Sequence, residues 1–324
     1  MYHGSKIHNS FYTKCNIKGS FFVYLRPLNA EMRVAAIDIG SNAVRLLIAD
    51  ISQNEKGNSF KKNTLVRVPL RLGDDAFLDH KISPKKIEEL VKTMLAFKYL
   101  MDVYHVKDYL ACATSAMREA ENGEDIIKMI KEKTDIDLEI IEGQREANII
   151  YANHIEEDLD IKKSYLYIDV GGGSTELSVF VNKQPLASKS FNIGTIRILD
   201  NQDKDETWDE MRNWVKSYTK DLKNLAGIGT GGNINKLFRM SGEKDDMPLT
   251  YLKLKTLYNE LNGYSLKERI TLMKLNQDRA DVIIPACEIF LTLMKWTGIK
   301  QIYVPKEGMV DGIINLLMEE NLSS

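Results

Sequence analysis

Tyr165-Leu166-Tyr167-Ile168-Asp169-Val170-Gly171-Gly172-Gly173-Ser174-Thr175-Glu176-Leu177-Ser178-Val179-Phe180-Val181 decides how this chain is read. An apolar, β-branched run ends at Asp169, three glycines and two hydroxyl residues follow, and alternation resumes at Glu176, the pattern of a hairpin. Residues without Cβ let backbone N–H groups approach an anion, Ser174 and Thr175 add donors, and Asp169 stands where it can hold Mg2+ or a water. Alone, the stretch fits an ordinary glycine-rich hairpin equally well.

The chain contains the pattern twice. Ala36-Ile37-Asp38-Ile39-Gly40-Ser41-Asn42-Ala43-Val44-Arg45-Leu46-Leu47-Ile48 aligns without a gap on Tyr167 to Val179, 131 residues further on. That offset is the size of one ordinary domain, so the spacing predicts a duplicated fold whose two phosphate loops face each other across a cleft.

With 324 residues, 44% of them hydrophobic, the chain can bury two domain cores. A net charge of −2 argues against general nucleic-acid or membrane-surface binding, but leaves room for an anionic substrate in a local basic channel. Cys15, Cys112 and Cys287 have no paired spacing, and the five histidines form no metal-binding cluster. No run reaches the ~18 apolar residues of a membrane span. A reducing cytoplasm is the expected location.

Residues 1–31 read as an extension outside the core, with Met32 the expected start. Domain I is expected over residues 32–150 and domain II over 151–324. Arg33–Ala49 forms the first hairpin, Lys61–Leu72 a third strand, and Gly73-Asp74-Asp75 a turn. Ser83-Pro84 opens a helix to about Tyr104, with Ile87, Leu90, Val91, Met94, Leu95 and Tyr99 on one face. Tyr109–Thr114, a helix from Ser115, a helix over Gly123–Lys133, a strand over Asp137–Ile141 and a helix from Glu142 complete the half. The second half repeats the order, with one long helix expected over Thr250–Met273. The fold class is α/β, each half a mixed five-stranded sheet with helices against it.

Further motifs are Ala113-Thr114-Ser115-Ala116-Met117-Arg118-Glu119-Ala120, Gly143-x-x-Glu146-Ala147, Gly194-Thr195-Ile196-Arg197, Gly229-Thr230-Gly231-Gly232-Asn233, Arg279-Ala280-Asp281 and Glu307-Gly308-Met309. In this order, with the two Asp-x-Gly loops, the chain resembles the exopolyphosphatase and guanosine pentaphosphate phosphohydrolase (Ppx/GppA) family, in its short two-domain form, from Met32 to about Leu317. That resemblance implies duplicated ribonuclease-H-like domains of the actin, Hsp70 and sugar-kinase group, with the active site between them.

It also implies roles. Glu146 would orient or deprotonate the attacking water; Asp169, Glu176 and Arg118 complete the catalytic set, Arg118 gripping phosphate through its fork. Gly40, Ser41, Asn42 and Arg45 of the first loop, and Gly171, Gly172, Gly173, Ser174 and Thr175 of the second, would bind phosphate. Gly229, Thr230, Gly231, Gly232 and Asn233 resemble the group's adenosine-binding turn. Carboxylates around an anionic substrate repel it by ~1 kcal/mol per pair even in water. A divalent cation, Mg2+ by preference, is therefore expected on Asp169, Glu146 and Asp38.

Three residues depart from the family pattern. Ala43 removes a hydroxyl from the first loop, Arg145 places a charge beside Glu146 that should lower its pKa if close, and Lys306 stands where arginine is common. The expected activity is release of orthophosphate from polyphosphate, shorter chains preferred, by a homodimer. The alternatives are guanosine pentaphosphate hydrolysis, an ATPase or sugar kinase, and a non-catalytic phosphate- or nucleotide-binding regulator.

Overall fold

The computed structural model describes residues 32–54, 57–153, 160–245 and 247–322; the extension over residues 1–31 lies outside them. The first half runs β1 (Met32–Ile39), β2 (Val44–Asn54), β3 (Gly57–Val68), α1 (Leu72–Leu78), α2 (Pro84–Val103), β4 (Asp108–Ala113), α3 (Ser115–Glu119), α4 (Gly123–Thr134), β5 (Glu139–Ile140) and α5 (Gly143–Tyr151). The second runs β6 (Ser164–Val170), β7 (Thr175–Val181), β8 (Gln184–Phe191), α6 (Thr195–Leu199), α7 (Asp205–Thr219), β9 (Leu225–Thr230), α8 (Gly232–Ser241), β10 (Leu249–Thr250), α9 (Tyr251–Asn262), α10 (Leu266–Thr271), α11 (Gln277–Ala280), α12 (Ile283–Thr297), β11 (Gln301–Tyr303) and α13 (Met309–Leu322).

One sheet has the order β3-β2-β1-β4-β5, the other β10-β11-β9-β6-β7-β8. The second has six strands rather than five because two residues, Leu249 and Thr250, add an edge. The repeat holds to the level of register. Asp38 faces Arg45 across the first hairpin and Asp169 faces Glu176 across the second. Each hairpin's first strand is flanked on its other side by a parallel strand, β4 or β9.

Both central strands are buried on two faces, which their unbroken apolar runs require. Ala35, Ile37 and Ile39 join a core with α1 to α4, while Val34 and Ala36 meet Ile149, Ile150, Ile313 and Ile314. In the second copy the corresponding positions are Tyr165 and Tyr167, packed with Phe180 and Tyr151. The repeat keeps its backbone while its outer face is covered differently. In the division expected at residues 150 and 151, α13 belongs with the second half; it packs on the first sheet.

Two local expectations are corrected. Gly73-Asp74-Asp75 lies inside α1, because Leu72, Ala76 and Phe77 bury one face of a short helix. The expected Thr250–Met273 helix is broken after Asn262, where Ser265 and Glu268 form a reciprocal capping box that starts α10. Among the described residues no helix is long and apolar enough to cross a membrane.

Candidate active site

The two Asp-x-Gly turns meet at the bottom of a cleft of 320 Å3 between the sheets. A carbonyl oxygen closes each turn: Gly40 N donates to Ala43 O at 3.2 Å and Gly171 N to Ser174 O at 2.9 Å. Ala43 therefore serves the first loop through its backbone. The loops also touch, since a Cβ on Gly172 would lie 3.0 Å from Ser41 Cβ and 3.4 Å from Asn42 N. Ser41 Oγ in turn bonds Ser115 Oγ at 2.8 Å, joining the first loop to α3.

Gly40, Ser41, Asn42, Arg45, Gly171, Gly172 and Ser174 line the cleft together with Asp38, Glu146, Asp169 and Glu176. Gly173 and Thr175 stand behind it. A Cβ on Gly173 would strike Phe77 and Ser115, and Thr175 Oγ1 donates to Ile193 O at 2.6 Å. Of the adenosine-like turn, Gly231 and Gly232 reach the cleft; Gly229 packs on Ile234 and Ile302, Thr230 is buried opposite Asp169, and Asn233 Oδ1 accepts from Arg279 at 3.3 Å. Gly231 has φ 92°, and a Cβ there would lie 2.6 Å from Asp169 Oδ1, so both backbone and space demand glycine.

The acids are crowded. Glu146, in the first turn of α5, has its Oε2 sealed from solvent with no hydrogen-bond partner. Burial first, then the charges of Glu176, Asp38 and Asp169, raise its carboxyl well above the usual range, with Arg118 opposing. Burial and then Asp38 push Asp169 up to about 6 against Arg45, and burial and then Asp169 push Glu176 up to about 7. Ser190 Oγ donates to Glu176 Oε1 at 2.7 Å. Asp38 is ion-paired with Arg45.

Two expectations about charge are corrected. Arg145 does not bear on Glu146; it turns to Glu139 at 3.0 Å on the surface, and the Glu146 carboxyl is raised, not lowered. Arg118 does not line the cleft: its Nη1 donates to Ile141 O at 2.6 Å, and it acts on the acids through its field.

The cleft also holds a cluster of basic residues that the sequence reading did not assign. Arg67, Arg239, Arg279 and Lys62 line the same cleft, with Lys306 at its rim bonded to Asp245 at 2.6 Å. Arg67 was findable, because it sits directly across from Arg45 in the sheet and shares its face. Burial, then Arg67 and Arg45, lower Arg279 to about 10. Between the two halves, Arg67 pairs with Asp278 at 2.5 Å and Arg71 with Asp281 at 2.6 Å. A larger groove of 680 Å3 along β4 and α4 contains none of these groups.

Residues 51–320 match the Ppx/GppA phosphatase family. The chain belongs to that family. It is 29% identical over 304 residues to a bifunctional 3-dehydroquinate synthase/phosphatase of Fusobacterium nucleatum, covering 86% of this chain and 46% of that one, about half its length. It is 24% identical over 311 residues to exopolyphosphatase 1 of Mycobacterium tuberculosis, covering 87% of both. An exopolyphosphatase from Cytophaga hutchinsonii has the same fold: TM-score 0.78, 23% identity, 89% of this chain and 98% of that one.

A divalent cation was expected among the Ppx/GppA acids. Among the described residues no three acidic, histidine or cysteine side chains converge on one ligating point. The donors nonetheless suit a hard cation: oxygens only, mutually repelling, with Glu146 Oε2 unbonded. Mg2+ in particular takes one or two carboxylates and fills its shell with waters and substrate phosphates. Asp169 and Glu146 fit that demand; Asp38 is engaged by Arg45.

Proposed function

We propose that this protein is an exopolyphosphatase, hydrolysing the terminal phosphoanhydride bond of inorganic polyphosphate. The reading rests on one observation: the unbonded Glu146 oxygen, two glycine loops and a cluster of arginines share one cleft. The loop amides cradle the terminal phosphate. Arg67, Arg239 and Arg279 draw in the remaining chain, in which each internal phosphate carries a charge.

Glu146 accepts a proton from the attacking water as the water oxygen bonds the terminal phosphorus and the bridging P–O bond breaks, the shortened chain leaving with the bridging oxygen. Arg118 opposes the burial and the neighbouring acids that raise the Glu146 carboxyl. Glu176, held by Ser190, keeps a second carboxyl beside the reacting centre. A divalent cation on Asp169 and Glu146, when bound, supplies charge neutralisation at the phosphate oxygens.

Guanosine pentaphosphate poses the same bond with a nucleoside behind it. The arginine cluster in the cleft favours a phosphate chain in that place. The test is phosphate release from polyphosphates of several lengths, guanosine pentaphosphate and ATP, with and without Mg2+. Preferred release from polyphosphate supports the proposal; release confined to guanosine pentaphosphate or ATP overturns it.

A further inference from the structure

Arg197 stands outside the lining of the cleft and joins the two halves. Its side chain is 8% exposed. Nε donates to Gly173 O, in the second phosphate loop, at 2.6 Å, and Nη2 donates to Glu119 Oε1 on α3. The guanidinium carbon sits 4.0 Å over the Phe77 ring of α1. The backbone of α6 holds the same loop: Thr195 N donates to Gly171 O at 3.1 Å and Ile196 N to Gly172 O at 2.8 Å. One buried cation thus touches the second loop on one edge and two helices of the first half on the others.

Burying a guanidinium is costly unless its donors are used in fixed directions. A planar fork meets a carbonyl and a carboxylate at once; an ammonium is a point charge without that geometry. The carboxylate it meets belongs to Glu119, the chain neighbour of Arg118. A shift of α3 relative to the loop would therefore move Arg118 and the phosphate cradle apart.

We propose that Arg197 is a positioning residue that locks the Gly171–Ser174 loop to α3, fixing the phosphate cradle at one spacing from Arg118, whose charge acts on Glu146 and Glu176. Its catalytic consequence rests on the exopolyphosphatase reading. Arg197 does not line the cleft, so its loss disturbs alignment more than capture. Small misplacements of reacting groups cost up to ~100-fold in rate.

The test combines kinetics with hydrogen exchange of Thr195 and Ile196, whose amides report the loop whatever the activity. Arg197→Met should lower kcat about 30-fold with KM within about twofold, and speed exchange at both amides about tenfold. Glu119→Gln, at a partly exposed site, should show the same pattern more weakly and serves if Arg197→Met does not fold. The double variant should be no worse than Arg197→Met alone, since both break one link. Arg197→Ala should regain part of its kcat with added guanidinium ion. Wild-type kcat with wild-type exchange, a defect confined to KM, or independent multiplication of the two effects would each overturn the proposal. If the wild type releases no phosphate, the hydrolase reading fails, while the exchange measurement still decides whether the link holds the loop.

Discussion

Replacing Glu176 with glutamine should make the cation-free protein more stable at alkaline pH. Glu176 is buried, and burial followed by the Asp169 charge pushes its carboxyl up to about 7 from 4.5. A carboxyl that titrates higher in the folded protein than in the unfolded chain holds its proton more tightly when folded. Its contribution is complete below the unfolded value and disappears as pH rises through about 7. The difference is worth roughly 3 kcal/mol. Asp169, raised from 3.8 to about 6, adds a loss of similar order in a lower window. With metal chelated, urea denaturation of the wild type should show stability falling from about pH 5 to about pH 8. Glu176→Gln should match the wild type near the acid end and exceed it by roughly 2–3 kcal/mol near the alkaline end. Glutamine still offers an oxygen to Ser190. Added Mg2+ should restore the wild type at alkaline pH more than the variant. A chelated wild type at least as stable at the alkaline end, or parallel curves for the two proteins, would refute the reasoning.

Glu146→Gln should lower kcat/KM for polyphosphate by about 100- to 10,000-fold without preventing substrate binding, measured by phosphate release and equilibrium binding. Arg67→Ala and Asp278→Asn should move KM in opposite directions by several-fold, because Asp278 competes with substrate for Arg67; initial rates at two salt concentrations check this. Gly231→Ala should cost about 1–3 kcal/mol in a denaturant titration and depress activity by displacing Asp169. Chelating divalent cations from the wild type should abolish phosphate release and Mg2+ should restore it.

The hairpins were legible in the sequence because their information is local. Asp38 and Asp169 occupy the same turn, and the register that sets them opposite Arg45 and Glu176 follows from strand alternation. Glu146 was legible through its motif, and its helix delivers it to the cleft. The basic cluster was not, since Arg67, Arg239 and Arg279 come from β3, α8 and α11, and only tertiary packing assembles them. Arg118 shows the limit of a motif: it named the residue without the rotamer that turns it to Ile141 O. Ser265 and Glu268 carried a readable capping signal inside a stretch whose apolar content favoured one continuous helix.

The return of α13 to the first sheet has a consequence for synthesis. Val34, Ala36, Leu47 and Ala49 are covered by Ile313, Ile314 and Leu317, which follow the strands of both sheets in the chain. A nascent chain halted before Met309 leaves that apolar sheet face wet and available to chaperones or to other unfinished copies. The first sheet is therefore completed by a helix that follows both sheets in the chain, and a polypeptide released before Met309 lacks the cover on that face.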